Sequence, residues 1–177
     1  MMKKYRPNVG IVVFNRHGEV LMGERIGLPN SWQFPQGGID EKEEPQTAMI
    51  RELYEEVGIA VSTEVAATSS ATKSGFLVGS IGEWMYYDFP DQLRASLKGI
   101  AATYDGQKQQ WYLVYWDYPA DQCLLDIHER EFHQVRFIPF AEGISYAVDF
   151  KRAVYEQVYI RFQPQIEQFL ATHPGIG

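Results

Sequence analysis

The stretch Gly37-Gly-Ile-Asp-Glu-Lys-Glu-Glu-Pro-Gln-Thr-Ala-Met-Ile-Arg-Glu-Leu-Tyr-Glu-Glu-Val-Gly-Ile59 decides how this chain is read. It opens with two glycines and a charged run, the composition of a loop whose backbone must approach a neighbour closely. Pro45 is preset for the first turn of a helix, and Gly58 for the left-handed residue that ends one. Between them, residues 46–57 follow a helical pattern. On a wheel of about 100° per residue, Met49, Ile50, Leu53 and Val57 share an apolar arc that faces a core. Beside it, Glu55 falls about 60° to one side of Glu52, and Glu56 about 40° to the other.

Like charges at these spacings cost a helix about 0.2–0.5 kcal/mol per pair. Their place toward the negative, C-terminal pole adds to the cost. A bound divalent cation reverses the sign, and hard oxygen donors suit Mg²⁺ or Mn²⁺. From the trio alone, a solvated acidic face explains the same residues equally simply.

Outward from this stretch, residues 9–14 are β-branched and apolar, a buried strand. Residues 19–25 read as a strand returning from the turn at 15–18, and residues 32–35 as a short strand closed by proline. Residues 36–44 read as a glycine-rich polar loop. Downstream, residues 61–68, 84–89, 110–118 and 132–138 are strand-like, and residues 93–105 are ambiguous. The Gly/Ser-rich residues 69–82 read as a loop or flap. A helix is expected over about 150–170, interrupted at Pro164. Strands that flank one helix and precede another define a mixed α/β class. No repeat or linker divides residues 1–177, so they are expected to form a single domain.

The charge sum is 16 − 23 = −7 over 177 residues. That balance opposes the wrapping of long nucleic acid, but not the capture of a small anion through a cation or a local basic patch. One cysteine, Cys123, excludes an internal disulfide framework. The basic start lacks the apolar run of a signal peptide, and no stretch reaches the ~20 apolar residues of a membrane span. A cytoplasmic protein without a membrane partner is expected.

The frame around the glutamates is more specific. Gly37, Glu43, Arg51, Glu52, Leu53, Glu55, Glu56, Gly58 and Ile59 follow Gly-x5-Glu-x7-Arg-Glu-U-x-Glu-Glu-x-Gly-U, with U apolar. This resembles the Nudix box, with every defined position filled. The resemblance implies an α/β/α sandwich with a mixed sheet. It also implies a divalent-metal-dependent hydrolase that directs water at the phosphorus of a phosphoanhydride. Glu52, Glu55 and Glu56 would then be metal ligands to Mg²⁺ or Mn²⁺, with more than one ion bound, and the Gly37 carbonyl a further ligand. Arg51 would hold the glutamates in place, and Glu43 would orient rather than ligate.

Tyr5–Ile11, Ser31–Ile39, Tyr87-Asp-Phe-Pro90, Gly106–Trp111, Glu131-Phe132 and Asp149–Tyr155 are similar to one branch of that family. The branch contains dinucleoside polyphosphate hydrolases and RNA pyrophosphohydrolases. By that likeness Glu131 joins the metal site as ligand or base, and Phe150 stacks on a nucleotide base. A strand-start carboxylate and a core phenylalanine are the plain alternatives. Arg25 and Lys151, then Arg6, Lys108 and Arg152, are candidate phosphate holders. Tyr87, Tyr146 and Trp111 could line a base pocket. The four histidines have no metal-like spacing.

The expected substrate is a small (di)nucleoside polyphosphate such as diadenosine tetraphosphate, cleaved to ATP and AMP. The alternative is removal of pyrophosphate from a 5′-triphosphate RNA end. The non-basic tail after Phe162 favours the small substrate. A catalytically inactive nucleotide-sensing domain would have lost a box glutamate, and none is lost.

Overall fold

The computed structural model describes residues 2–62 and 73–175. Strand β1 (Tyr5–Phe14) is its axis. Its β-branched run is buried on both faces: Val9, Ile11 and Val13 point one way, Val12 and Phe14 the other. This is the pattern of a central strand covered on both sides. β1 runs parallel to β7 (Gly106–Tyr115) over its whole length, from Tyr5↔Gly106 to Phe14↔Tyr115.

The other strands build outward. β2 (Glu19–Arg25) is antiparallel to β1 and pairs with β3 (Trp32–Gln33) and β8 (Phe132–Pro139). β4 (Gln36–Gly38) lies antiparallel to the first half of β1. β6 (Gly75–Asp88) is antiparallel to β7 and parallel to the short β5 (Val61–Ser62). The result is one mixed sheet.

Two helices cover its faces. α1 (Pro45–Val57) packs Ala48, Met49, Leu53 and Val57 against Val9, Ile11, Val13 and Val114. Gly58 ends it at φ 73°, the left-handed conformation expected of that glycine. α4 (Asp149–Thr172) covers the opposite face with Val154, Tyr155, Val158, Phe162, Ile166 and Phe169, meeting Phe14, Phe34 and Trp111. The arrangement is the α/β/α sandwich that the sequence implied.

Several local expectations change. Pro164 does not interrupt α4. Phe162, Ile166 and Phe169 stay buried on either side of it, so packing holds the helix where propensity would break it. Residues 75–82, read as part of a loop or flap, lie within β6; residues 69–72 of that flap lie outside the described residues. Likewise only Val61–Ser62 of the strand expected over residues 61–68 is described. Gln36–Gly38, read as loop, pairs with β1. The ambiguous 93–105 region carries α2 (Asp91–Ser96) and a 3₁₀ turn at Gly99–Thr103. A further short helix, α3 (Phe140–Ser145), follows β8. Among the described residues no helix is long and apolar enough to cross a membrane.

Candidate active site

The box loop and α1 close on each other through Arg51. Its guanidinium donates to both carboxylate oxygens of Glu43, from Nε at 2.9 Å and from Nη2 at 2.8 Å. Nη2 also donates to the Gly38 carbonyl at 2.9 Å, while Nη1 reaches Glu52 at 2.7 Å and Glu55 at 3.3 Å. Glu43 in turn accepts the backbone N–H of Asp40 at 3.0 Å. One planar fork thus ties the loop to the helix that carries the glutamates. Its carboxylate partners raise the Arg51 pKa, although burial opposes them. The Arg51 hydrogen bonds hold the Glu43 carboxyl below its ordinary value.

Gly37 and Gly38 are needed because side chains press on them. A Cβ at Gly37 would stand 1.8 Å from the Glu52 carboxyl carbon, and one at Gly38 would stand 2.6 Å from Arg6 Nη2. The carboxylate and the guanidinium therefore approach the β4 backbone directly, and any Cβ there would push them away.

Glu56 is the most enclosed acid of the box, 6% exposed. Its carboxylate accepts the Gln36 backbone N–H at 3.1 Å. Burial pushes its pKa well above the ordinary value; Glu52 and Glu131 push the same way, against the Gln36 bond and Arg25. Burial also raises Glu52, against its Arg51 contacts.

Gly37, Glu52, Glu56 and Glu131 share one cleft of about 430 Å³ with Arg6, Arg25, Lys151, Tyr87 and Phe150. Lys151 sits in the first turn of α4, 8% exposed. Its ammonium donates to Gln36 Oε1 at 3.1 Å and Gln33 Oε1 at 3.4 Å. Burial, with Arg25 adding to it, lowers its pKa to about 8. The same ammonium lies 5.7 Å from the Tyr87 ring centroid, and the Phe150 ring is tilted against that ring at 5.7 Å between centroids. The Tyr87 hydroxyl donates to Gln107 Oε1. Arg25 lies at a register shift at the end of β2 and lines the cleft.

Not every expected residue faces this cleft. Glu55 leans on Arg51 at the rim and is not on the cleft wall. The reason is helical geometry: Glu55 and Glu56 point about 100° apart, so the wall that takes Glu52 and Glu56 leaves Glu55 at its rim. Lys108 is also outside, its ammonium 4.6 Å above the Trp84 ring. It neighbours Gln107 on β7, and alternation sends the two side chains to opposite faces. Arg152 pairs with Asp149 at 3.2 Å, Trp111 is buried in the core, and Tyr146 packs on Trp32.

Phe150 is half-buried and contributes to both readings, touching the core cluster and lining the cleft. The sequence reading missed Asn8, Gln33, Gln36 and Gln107. All are neutral amides whose part in the site comes from strand pairing that no local spacing reveals.

The donor set fits a hard divalent cation. Two carboxyls that burial and mutual repulsion disfavour as anions share a cleft end with Glu131 and the Gly37 backbone. Among the described residues, however, no three acidic, histidine or cysteine side chains converge into a ready cage. Arg51 accounts for the spacing, since it engages Glu52 and Glu55 itself.

Residues 4–158 match the NUDIX domain, so the chain belongs to the Nudix family. An RNA pyrophosphohydrolase of Cereibacter sphaeroides is 40% identical over 163 residues, which cover 92% of this chain and 93% of that one. Nudix hydrolase 25 of Arabidopsis thaliana is 34% identical, covering 89% and 86%. By family and by these relatives, the chain is a pyrophosphohydrolase. An Ap4A hydrolase from C. elegans shares the fold at TM-score 0.55 and 17% identity, covering 96% of this chain and 99% of that one.

Proposed function

We propose that this enzyme removes pyrophosphate from 5′-triphosphate RNA. The observation that carries the reading is the 40% identity to an RNA pyrophosphohydrolase over nine-tenths of both chains. It reverses the order expected from the acidic charge balance, which favoured diadenosine tetraphosphate. An Ap4A hydrolase shares the fold only at low identity. The charge argument loses its force because three cations line the cleft, Arg6, Arg25 and Lys151, however acidic the whole molecule is. A single RNA end needs its phosphates held and a base stacked, not a long basic track.

In this reading the cleft has two ends. Glu52, Glu56 and the Gly37 carbonyl would hold divalent cations at one, with Glu55 beside them on the Arg51 fork. Bound cations neutralise the polyphosphate and lower the pKa of an attacking water. Arg51 fixes the directions of Glu43 and Glu52. Arg6, Arg25 and Lys151 take phosphate oxygens. Phe150 and Tyr87 receive the base. Glu131, exposed and on the cleft wall, accepts the proton of the attacking water. A P–O bond forms to water oxygen and the anhydride P–O bond breaks. Pyrophosphate leaves from a 5′-monophosphate end.

The test is to incubate the protein and Mg²⁺ with a 5′-triphosphorylated oligoribonucleotide and identify the products. Pyrophosphate in equal amount to 5′-monophosphate ends, abolished by a chelator, is expected. Release of orthophosphate alone, or no reaction, would refute the reading.

A further inference from the structure

The cleft continues past Tyr87 along a wall that the proposed chemistry does not use. Residues 89–105 leave β6 and return to β7. Leu93, Leu97 and Ala101, each four residues from the next, line the cleft beside Phe89 and Tyr104. Leu93, Leu97 and Tyr104 are half-buried, yet they belong to neither core cluster. Their apolar surface is therefore turned to the cleft rather than spent on the fold.

The arm is anchored at its base. The Phe89 N–H donates to the Asp105 carbonyl at 2.8 Å, and the Asp105 N–H to the Lys4 carbonyl at 2.7 Å. The Asp105 carboxylate accepts from Arg94 at 2.7 Å and from the Lys4 N–H at 2.8 Å. The charged residues of the arm, Asp91, Arg94, Lys98 and Asp105, are absent from the cleft wall. What it presents is aliphatic surface with the rings of Phe89 and Tyr104. This surface is continuous with the end that carries Arg6, Arg25 and Lys151, so its ligand is attached to phosphate. A flat, apolar-faced group tethered to phosphate is a nucleobase, which every base satisfies through its π-face.

We propose that the 89–105 arm is a second base-binding wall. It takes the nucleobase adjacent along the chain to the one held at Phe150 and so makes the enzyme favour an oligonucleotide over a mononucleotide. The proposal rests on the RNA reading for its substrate class.

Equilibrium binding separates the two. Non-hydrolysable methylene-bridged 5′-triphosphate mononucleotide and trinucleotide are titrated into the full chain and into Leu93→Ser/Leu97→Ser. The wild type is expected to prefer the trinucleotide by about tenfold, within the range of one stacked base. The double variant should bring that ratio close to one. A trinucleotide with abasic positions should lose the preference in the wild type. A wild type with no preference, or a variant that keeps it, overturns the wall. Loss of folding is checked by thermal melting, and Tyr104→Ser serves as a second variant with the same expected fall in ratio. Pyrophosphate release is followed in parallel. Its absence with the binding preference intact would sink the RNA reading while leaving the wall standing.

Discussion

The two ends of the cleft are built differently. Glu131 apart, the box end comes from one short strand, one loop and one helix, and Arg51 joins partners from one to thirteen residues away in sequence. The nucleotide end draws Arg6 from β1, Arg25 from β2, Gln107 from β7 and Lys151 from α4, with Lys151 reaching Gln36 across 115 positions. The first is a largely local device, set once the helix docks on the box loop through Arg51. The second exists only when the sheet has closed. The chemistry of the box should therefore be sensitive to single side chains, and substrate holding should be shared among several.

The largest effect tests the box end. Glu56→Gln should reduce kcat by about 10²–10⁴-fold if the carboxylate serves the reaction. The same change should stabilise the metal-free protein. The folded-state pKa of Glu56 is raised, so burying its carboxylate costs nothing below the ordinary value of 4.5 and costs more as pH climbs toward the folded value. The melting temperature of Glu56→Gln should exceed that of the wild type at pH 7 and match it near pH 4. A variant that is slower and also less stable at pH 7 would contradict this account of Glu56.

Arg51→Met comes next, with kcat/KM down about 10–100-fold, the usual cost of losing a residue that aims metal ligands. Arg51→Lys should restore little, because an ammonium cannot span both Glu43 oxygens and the Gly38 carbonyl. Full recovery by lysine would show that charge alone matters there.

At the nucleotide end, Phe150→Ala should raise KM by about 5–100-fold, the range for one stacked base, with little change in kcat. An unchanged KM with a lower melting temperature would make Phe150 a packing residue. Lys151 supplies a pH signature. Its pKa is lowered to about 8, so it carries its charge below that pH and loses it above. In the wild type kcat/KM should fall as pH rises through about 8, and Lys151→Met should flatten that limb. Lys108→Ala should change kcat/KM by less than about twofold, because its ammonium rests on Trp84 outside the cleft. A tenfold loss would show that the boundary of the site is drawn wrongly.

The same division explains what the sequence could show. The wheel over residues 46–57 displayed the apolar arc, and Pro45 and Gly58 marked the ends of α1, because helix geometry is local. It set Glu55 beside Glu52 and Glu56 but could not say which pair would face a cleft. That depends on β4 lying against β1 with Gly37 under the Glu52 carboxylate. Gln36 and Gln107 were unreadable, since neutral amides in strands carry no motif. The continuity of α4 through Pro164 was also hidden, because the buried side chains that override the proline meet partners on distant strands. Residues 93–105 of the arm looked ambiguous for a related reason. Their leucines are spaced for a helix face, yet α2 ends before Leu97, and both side chains meet the cleft rather than the core.

The most direct measurement of the central claim is a competition in one reaction. Equal concentrations of a 5′-triphosphate oligoribonucleotide and diadenosine tetraphosphate are given to the wild-type enzyme with Mg²⁺, and products are resolved over time. The ratio of rates gives the ratio of kcat/KM directly. Pyrophosphate and 5′-monophosphate RNA accumulating first is the predicted result. ATP and AMP accumulating first, with the RNA end intact, would contradict it.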